Sequence, residues 1–332
     1  MSAVRSIRIQ TPGRLHLGMT SFGNPSVPSF GGVGVMIDKL GMDVQVEACD
    51  RLTVTGPFSD RARQIAMHCM EVLSLQERRC AITIHDAPRA HVGLGSGTQL
   101  AMAVAAGIQQ FFSPDTCCGM TSGFCTDKAF DFARAGRRGR RSCIGIYGFA
   151  KGGLLWEGGR FENEHDQFAP LVAQTALPDA WCGVVLIHRG AAGLHGDDEK
   201  AAFARLPSVP REISQELVRI AERELFPAAL EKRHVDFSDA VYRYGSLAGK
   251  PFVTESSRLP WYDTIAQLVG TLHAHGVHGV AQSSWGPAVL ACCESKSSAE
   301  QVVEWLRQRG LSKDYDSVIT PFSQHGATMC VD

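Results

Sequence analysis

The 332-residue chain has no run of about 18 or more apolar residues, so nothing in it reads as a membrane-spanning helix. It also lacks a surplus of either charge: 33 Lys and Arg stand against 34 Asp and Glu, a formal net charge of −1. A general nucleic-acid binder normally carries a basic excess, so that class is set aside and any anion site must be local. The eleven cysteines contain no C-x-x-C and no zinc-ribbon spacing. An odd count, with adjacent pairs at Cys117–Cys118 and Cys292–Cys293, fits reduced and mostly buried thiols of a cytoplasmic protein. The opening "MSAVRSIRIQTPGRLHLG" has neither the apolar segment nor the small-residue cleavage site of a signal peptide, which again leads us to expect the cytoplasm. Internal repeats and low-complexity tracts are missing too.

What is present is an ordinary globular composition at a length that suggests two domains or one composite one. Residues 5–10 and 33–48 read as strands, the second long and valine-rich, and 80–86 ("CAITIHD") as a short one. Helical periodicity covers about 60–75 and the stretch up to 112, and "DKAFDFARAG" suggests a short helix ending at Gly136. The glycine-punctuated segment 143–165 looks strand-like. A boundary near 170 divides the chain into 1–170 and 171–332. In the second part "WCGVVLIHR" is a buried strand, helices fill roughly 197–275, and two strands flank the turn in "GVAQSSWGPAVLACCE". "SSAEQVVEWLRQRG" is a helix with capping-box pairs Ser297/Glu300 and Ser298/Gln301 and a terminal Gly310. The alternation points to α+β or α/β layering.

The most informative stretch is "RAHVGLGSGTQLAMAVAAGIQQFF", Arg89 to Phe112, in which three glycines and a serine precede an apolar helix. A helix N-terminus leaves its first N–H groups unpaired and carries partial positive charge, which suits phosphate. Gly93, Gly95 and Gly97 give the backbone the freedom to approach an anion, and Ser96 and Thr98 add hydroxyls. No G-K-[ST] follows, so this is not a Walker A loop, nor is it a dinucleotide fingerprint. Taken alone, the loop is equally well a packing turn.

Two further segments change that balance: "TPGRLHLGM" with Arg14 and His16, and "AQSSWGPAVLA" with Gln282, Ser283 and Ser284. Together the three resemble the GHMP superfamily, with its P-G-[KR] stretch, its P-x-x-x-G-L-G-S-S-A loop and a late glycine-rich turn. Here one extra residue separates Pro88 from the glycines, and Gly97 replaces the second serine of the kinase loop. The blocks "GRLHLGM", "FGGVGVMID", "GLGSGTQLAMAVA", "RRGRRSCIGIYGFAKGGLLWEGG", "GLHGDDEKAAF" and "QSSWGPAVLA" are most similar to one non-kinase branch, the β-ribofuranosylaminobenzene 5′-phosphate synthases.

That resemblance implies an α+β fold of two parts. An N-terminal domain like domain 2 of ribosomal protein S5 carries the loop, and a ferredoxin-like C-terminal domain forms the other wall of a cleft. It implies transfer from phosphoribosyl pyrophosphate to 4-aminobenzoate or 4-hydroxybenzoate, with release of CO2 and pyrophosphate, in tetrahydromethanopterin biosynthesis. Mg²⁺ is the implied cofactor and a homodimer the implied assembly, without nucleic-acid or membrane partners. Gly93, Gly95, Ser96, Gly97 and Thr98 are expected at the diphosphate. Arg14 is suited to a bidentate grip on phosphate or carboxylate, and His16 to donating or shuttling a proton. "RAGRRGRRS" is by default a solvated basic surface, but Arg140 or Arg141 could face the 5-phosphate or the carboxylate. Asp197, Asp198 and Glu199 open a helix and are either caps or oxygen ligands. We take Asp198 as catalytic and Ser96 and Glu199 as metal ligands. Gln282 and Ser284 are expected to make polar contacts, whereas Trp285 and the histidines of "HAHGVHG" are better explained as structural. The rival readings are an ATP-dependent small-molecule kinase and a ligand-sensing scaffold on the same fold.

Overall fold

The computed structural model describes residues 6–114, 123–161, 164, 167–194, 196–253, 259 and 261–332. Cys117, Cys118 and the side chain of Asp197 lie outside these.

Alternating apolar residues make Ser6–Gln10 a strand that buries Ile7 and Ile9. It runs antiparallel to Asp43–Ala48, with Ile7 opposite Val46 and Ile9 opposite Val44. Thr328–Val331 pairs on its other edge, Cys80–Asp86 extends the sheet, and Thr53–Thr55 closes it in parallel. The last strand of the chain thus completes the sheet begun by the first. Over it lies the helix Ser96–Phe112, apolar on nearly every face and buried from Gln99 through Ile108, as a fully enclosed helix must be. A Cβ on Gly107 would come within 2.7 Å of Val46 Cγ2, so the helix backbone packs directly on side chains of the sheet.

A second sheet joins Gly13–Met19, Gly32–Ile37, Leu154–Glu157 and Leu171–Thr175. The third, all antiparallel, contains Cys182–His188, Gly279–Gln282, Ala288–Cys293 and Tyr315–Pro321 in the spatial order second, third, first, fourth. A helical block follows its first strand and the helix Lys296–Gln308 its third, which is the ferredoxin-like arrangement expected for the C-terminal half. One hydrophobic cluster unites Leu15, Leu17 and Val33 of the second sheet with Val185, Ile187 and Leu290 of the third. The two sheets therefore share a core, and packing sets the edge where they meet. No helix among the described residues is long and apolar enough to cross a membrane.

Three local expectations change. The stretch 33–48 is two strands in different sheets, separated by a turn in which Leu40 adopts φ 62. Its apolar alternation continues across the turn and hides the break. Segment 143–165 begins as a helix, Ile144–Lys151, before the strand Leu154–Glu157. Its glycines are close-packing points, Gly148 against Met36, rather than strand punctuation. The helix Lys296–Gln308 is capped two residues earlier than its sequence suggests, by Ser295 with Ser298 as reciprocal partner.

Candidate functional site

The helix Ser96–Phe112 starts from Gly95 in the left-handed conformation, φ 66, and no side chain caps its first turn. Its leading amides therefore remain available to an anion. Gly95 is required by its φ of 66, whereas at Gly97 a side chain would have to push aside the flexible end of Arg61. A Cβ on Gly95 would come within 2.6 Å of Arg14 Nε, and one on Gly97 within 2.6 Å of the Arg61 guanidinium. The serine found at the second position in kinase loops has no room here unless Arg61 moves.

Buried Ser283 joins three segments distant in sequence. Its hydroxyl donates to the Gly93 carbonyl at 2.7 Å and accepts from the His16 amide at 3.0 Å. The Ser284 amide donates to the His16 carbonyl at 2.7 Å, and Ala288 N–H to Val92 at 3.0 Å. Strand, glycine loop and late turn are thereby stitched into one wall. Ser284 at φ 52 and His91 at φ 57 both line the cleft beside it in a backbone region that non-glycine residues seldom adopt.

The cleft, of about 620 Å³, is lined by four arginines (Arg14, Arg61, Arg138 and Arg141) against two carboxylates, Asp60 and Glu199. In a chain with no overall surplus, this is a local excess of positive charge. Burial lowers Arg14 to about 10, opposed by Glu157 and Glu199, and lowers Arg138 to about 10, with Arg61 pushing the same way. Both remain cationic at neutral pH. The Nε atoms of Arg14 and Arg138 are buried without a hydrogen-bond partner. Arg141, by contrast, is anchored: it donates to Glu199 at 2.7 Å and lies 5.3 Å from the Phe203 ring centroid. Trp285 supplies an aromatic wall, packed 5.3 Å from Phe252 and 6.1 Å from Phe203.

Behind the cleft lies a buried polar relay. Gly18 N–H donates to His16 Nδ1 at 3.2 Å, which leaves the ring proton on Nε2, 3.2 Å from Ser142 Oγ. Burial, with Arg14 adding repulsion, lowers His16 to about 3, so the ring is neutral. Glu157 Oε2 accepts from Cys143 N–H at 2.6 Å, while Oε1 stands 4.0 Å from His16 Nε2. Burial raises Glu157 to about 7, although Ser142 and the Cys143 amide pull it back.

Of the residues singled out from sequence, Arg14, Gly93, Gly95, Ser96, Gly97, Thr98, Arg141, Glu199 and Ser284 line this one cleft. His16, Arg140, Asp198 and Gln282 are placed elsewhere. His16 sits in the relay, so it does not present its ring to the cleft. Arg140 is exposed and its carbonyl accepts from Arg160. Asp198 is exposed on the helix Gly196–Ala204. Gln282 braces the turn, donating to the carbonyls of Ser284 and Gly286 at 3.3 and 3.0 Å. Sequence reasoning missed Asp60, Arg61 and Arg138. Arg61 sits in an unremarkable polar first turn, and the arginine run signals a basic surface without showing that Arg138 turns inward.

No group of three His, Cys, Asp or Glu able to enclose a metal occurs among the described residues. Mg²⁺ needs no such group, because it keeps water and phosphate oxygens and takes one or two carboxylates. Glu199, Asp60 and Ser96 line the cleft and would be the oxygen donors for such an ion, carried by a phosphorylated ligand.

The family model described as GHMP kinases C terminal matches residues 225–311. Over nearly its whole length the chain is similar to proteins named beta-ribofuranosylphenol 5'-phosphate synthase. It is 25% identical to that of Archaeoglobus fulgidus across 96% of this chain and 98% of that one. It is 24% identical to that of Methanocaldococcus jannaschii across 91% and 94%. Homoserine kinase from Cytophaga hutchinsonii superposes with a TM-score of 0.66 at 14% identity, covering 99% of this chain and 98% of its own. Mevalonate pyrophosphate decarboxylase from Streptococcus pyogenes does so with 0.67 at 11%, covering 97% and 98%. At such identities the solved structures speak for the fold, which is the two-part α+β GHMP architecture. The chain thus carries a GHMP C-terminal module at residues 225–311, and along nearly its whole length it is similar to the β-ribofuranosylphenol 5′-phosphate synthases.

Proposed function

We propose that this protein is a decarboxylating pentosyltransferase. It joins phosphoribosyl pyrophosphate to 4-hydroxybenzoate or 4-aminobenzoate, releases CO2 and pyrophosphate, and serves tetrahydromethanopterin biosynthesis in the cytoplasm. The observation that supports this most is the meeting of an uncapped helix N-terminus with four arginines in one cleft of a chain without net charge surplus. The name carried by the relatives, a ribofuranosylphenol phosphate synthase, favours the hydroxy acid.

In this reading the diphosphate departs from C1 of ribose while the amides around Ser96 and the Arg14 guanidinium take up the developing charge. The ring carbon that bears the carboxylate then bonds to C1, held near it by the Trp285 wall. Electron density from the para hydroxyl or amino group supports that bond. The carboxylate leaves as CO2, and its bonding electrons restore the aromatic ring, so no covalent enzyme nucleophile is needed. Mg²⁺ bound to the diphosphate would add charge neutralisation, with Glu199, Asp60 or Ser96 as oxygen donors. His16 acts as a positioning residue: its neutral ring orients Ser142 next to Arg141. A homodimer completes the proposal and is tested by molar mass in solution.

The deciding experiment incubates the protein with phosphoribosyl pyrophosphate and each acid, and separately with ATP and small alcohols. Pyrophosphate release with the acids supports the transferase. ADP formation from the alcohols would instead place the chain among kinases of this fold, and binding without turnover would make it a sensor.

A further inference from the structure

The four arginines of one cleft are unequally matched by acids. Arg14 lies against Gly95, and its charged surroundings are Arg141, Glu199 and Glu157. Arg61 lies against Gly97, and the charge acting on Arg138 is that of Arg61. Ser96, the first residue of the helix, falls between the two glycines. The first pair is compensated by two carboxylates. The second is less so: Glu199 favours Arg61 but is shared with Arg14, the Arg138 Nε is buried with no hydrogen-bond partner, and both guanidiniums are held below their ordinary pKa by burial.

Two partly desolvated like charges in one cleft weaken the folded state, and a protein normally separates them or supplies an acid. Here Glu199 is the one acid acting on Arg61, and its side chain is already engaged by Arg141 at 2.7 Å. Such a pair is kept where an anion completes it, because guanidinium forks match phosphate oxygens bidentately. A diphosphate at the helix start leaves the opposite, singly phosphorylated end of the same donor molecule in need of its own cations.

We propose that Arg61 and Arg138 form a second anion subsite that takes the 5-phosphate of the sugar donor, while Arg14 and the helix start at Ser96 take its diphosphate. The assignment rests on the transferase reading for the identity of the donor, and for the division of labour on Arg14 and Arg61 lying against glycines on either side of Ser96. It separates recognition of the sugar phosphate from activation of the leaving group.

The test is titration calorimetry of the full chain with phosphoribosyl pyrophosphate and with inorganic pyrophosphate, on wild type, Arg61→Met and Arg138→Met. Affinity for phosphoribosyl pyrophosphate should fall by about 10- to 100-fold in each variant, while affinity for pyrophosphate stays close to that of wild type. The unliganded variants should also melt higher than wild type, since each loses a repelling neighbour, and that rise shows that they fold. Equal losses for both ligands would assign the pair to the diphosphate and overturn the proposal. Unchanged affinity for phosphoribosyl pyrophosphate, or a wild type that binds pyrophosphate alone, would overturn it as well. Failure of the transferase reading appears separately, as absence of CO2 release by the wild type.

Discussion

The Arg61 guanidinium lies so close over Gly97 that a Cβ there would come within 2.6 Å of it. Kinase loops of this superfamily carry a serine at that position, so glycine and arginine together mark a different use of the same helix start. Gly97→Ser should displace Arg61 and raise the KM for phosphoribosyl pyrophosphate by about 10-fold or more, the value of one charge-assisted contact. The KM for the aromatic acid should hardly move. Steady-state kinetics with each substrate varied in turn checks this.

Arg14 differs in what it is expected to do. Lying over Gly95 with a buried, unpartnered Nε, it faces the place where leaving-group charge accumulates. Loss of one such donor typically costs about 100- to 1000-fold in kcat, and Arg14→Ala is predicted to show a loss of that size. Its pKa of about 10 keeps it cationic, so the wild-type rate should show no inflection from Arg14 between neutrality and mildly alkaline pH.

Ser283 carries the junction of the three segments. Ser283→Ala leaves the His16 amide and the Gly93 carbonyl without their buried partner, at a cost of about 1–3 kcal/mol. A melting point lowered by several degrees, together with weaker pyrophosphate binding, is the expected result. Calorimetric unfolding of the variant measures the first and titration the second.

The relay behind the cleft makes stability depend on pH in opposite senses. Glu157, raised from 4.5 to about 7, favours the folded state fully below pH 4.5, and that advantage is lost as pH rises to about 7. His16, lowered from 6.5 to about 3, contributes stability that is present above pH 6.5 and lost as pH falls towards 3. Between 4.5 and 6.5 the two slopes oppose, and their contributions to the wild type nearly cancel. Glu157→Gln removes one of them. Its stability relative to wild type should therefore climb with pH across that window, by roughly 1.4 kcal/mol per unit. Denaturant midpoints at several pH values test this, and a constant difference would contradict the burial-driven shifts.

Much of this site was legible in the sequence because its backbone parts are contiguous. The loop Gly93–Thr98, the strand bearing Arg14 and the turn at Ser284 are each short segments whose residue types state a purpose. The ferredoxin-like half was legible only through resemblance, since spacing alone does not dictate a second–third–first–fourth strand order. Side-chain direction was not legible. Arg140 and Arg141 are neighbours, yet only the second reaches the cleft, because Glu199 and Phe203 draw it there from other elements. Arg61 was invisible for the same reason: its role is created by a glycine more than thirty residues further along the chain. His16 carried the right signal for the wrong place, since a histidine beside a strand end says nothing of whether its ring meets solvent or Ser142.

The central claim is that leaving of the diphosphate and loss of the carboxylate belong to one turnover in this cleft. The most direct measurement supplies carboxyl-labelled 4-hydroxybenzoate or 4-aminobenzoate with phosphoribosyl pyrophosphate and counts labelled CO2 against pyrophosphate. Equal amounts of the two, falling together in Arg14→Ala, are predicted. Pyrophosphate released without CO2, or neither released while ATP is consumed, would contradict the account.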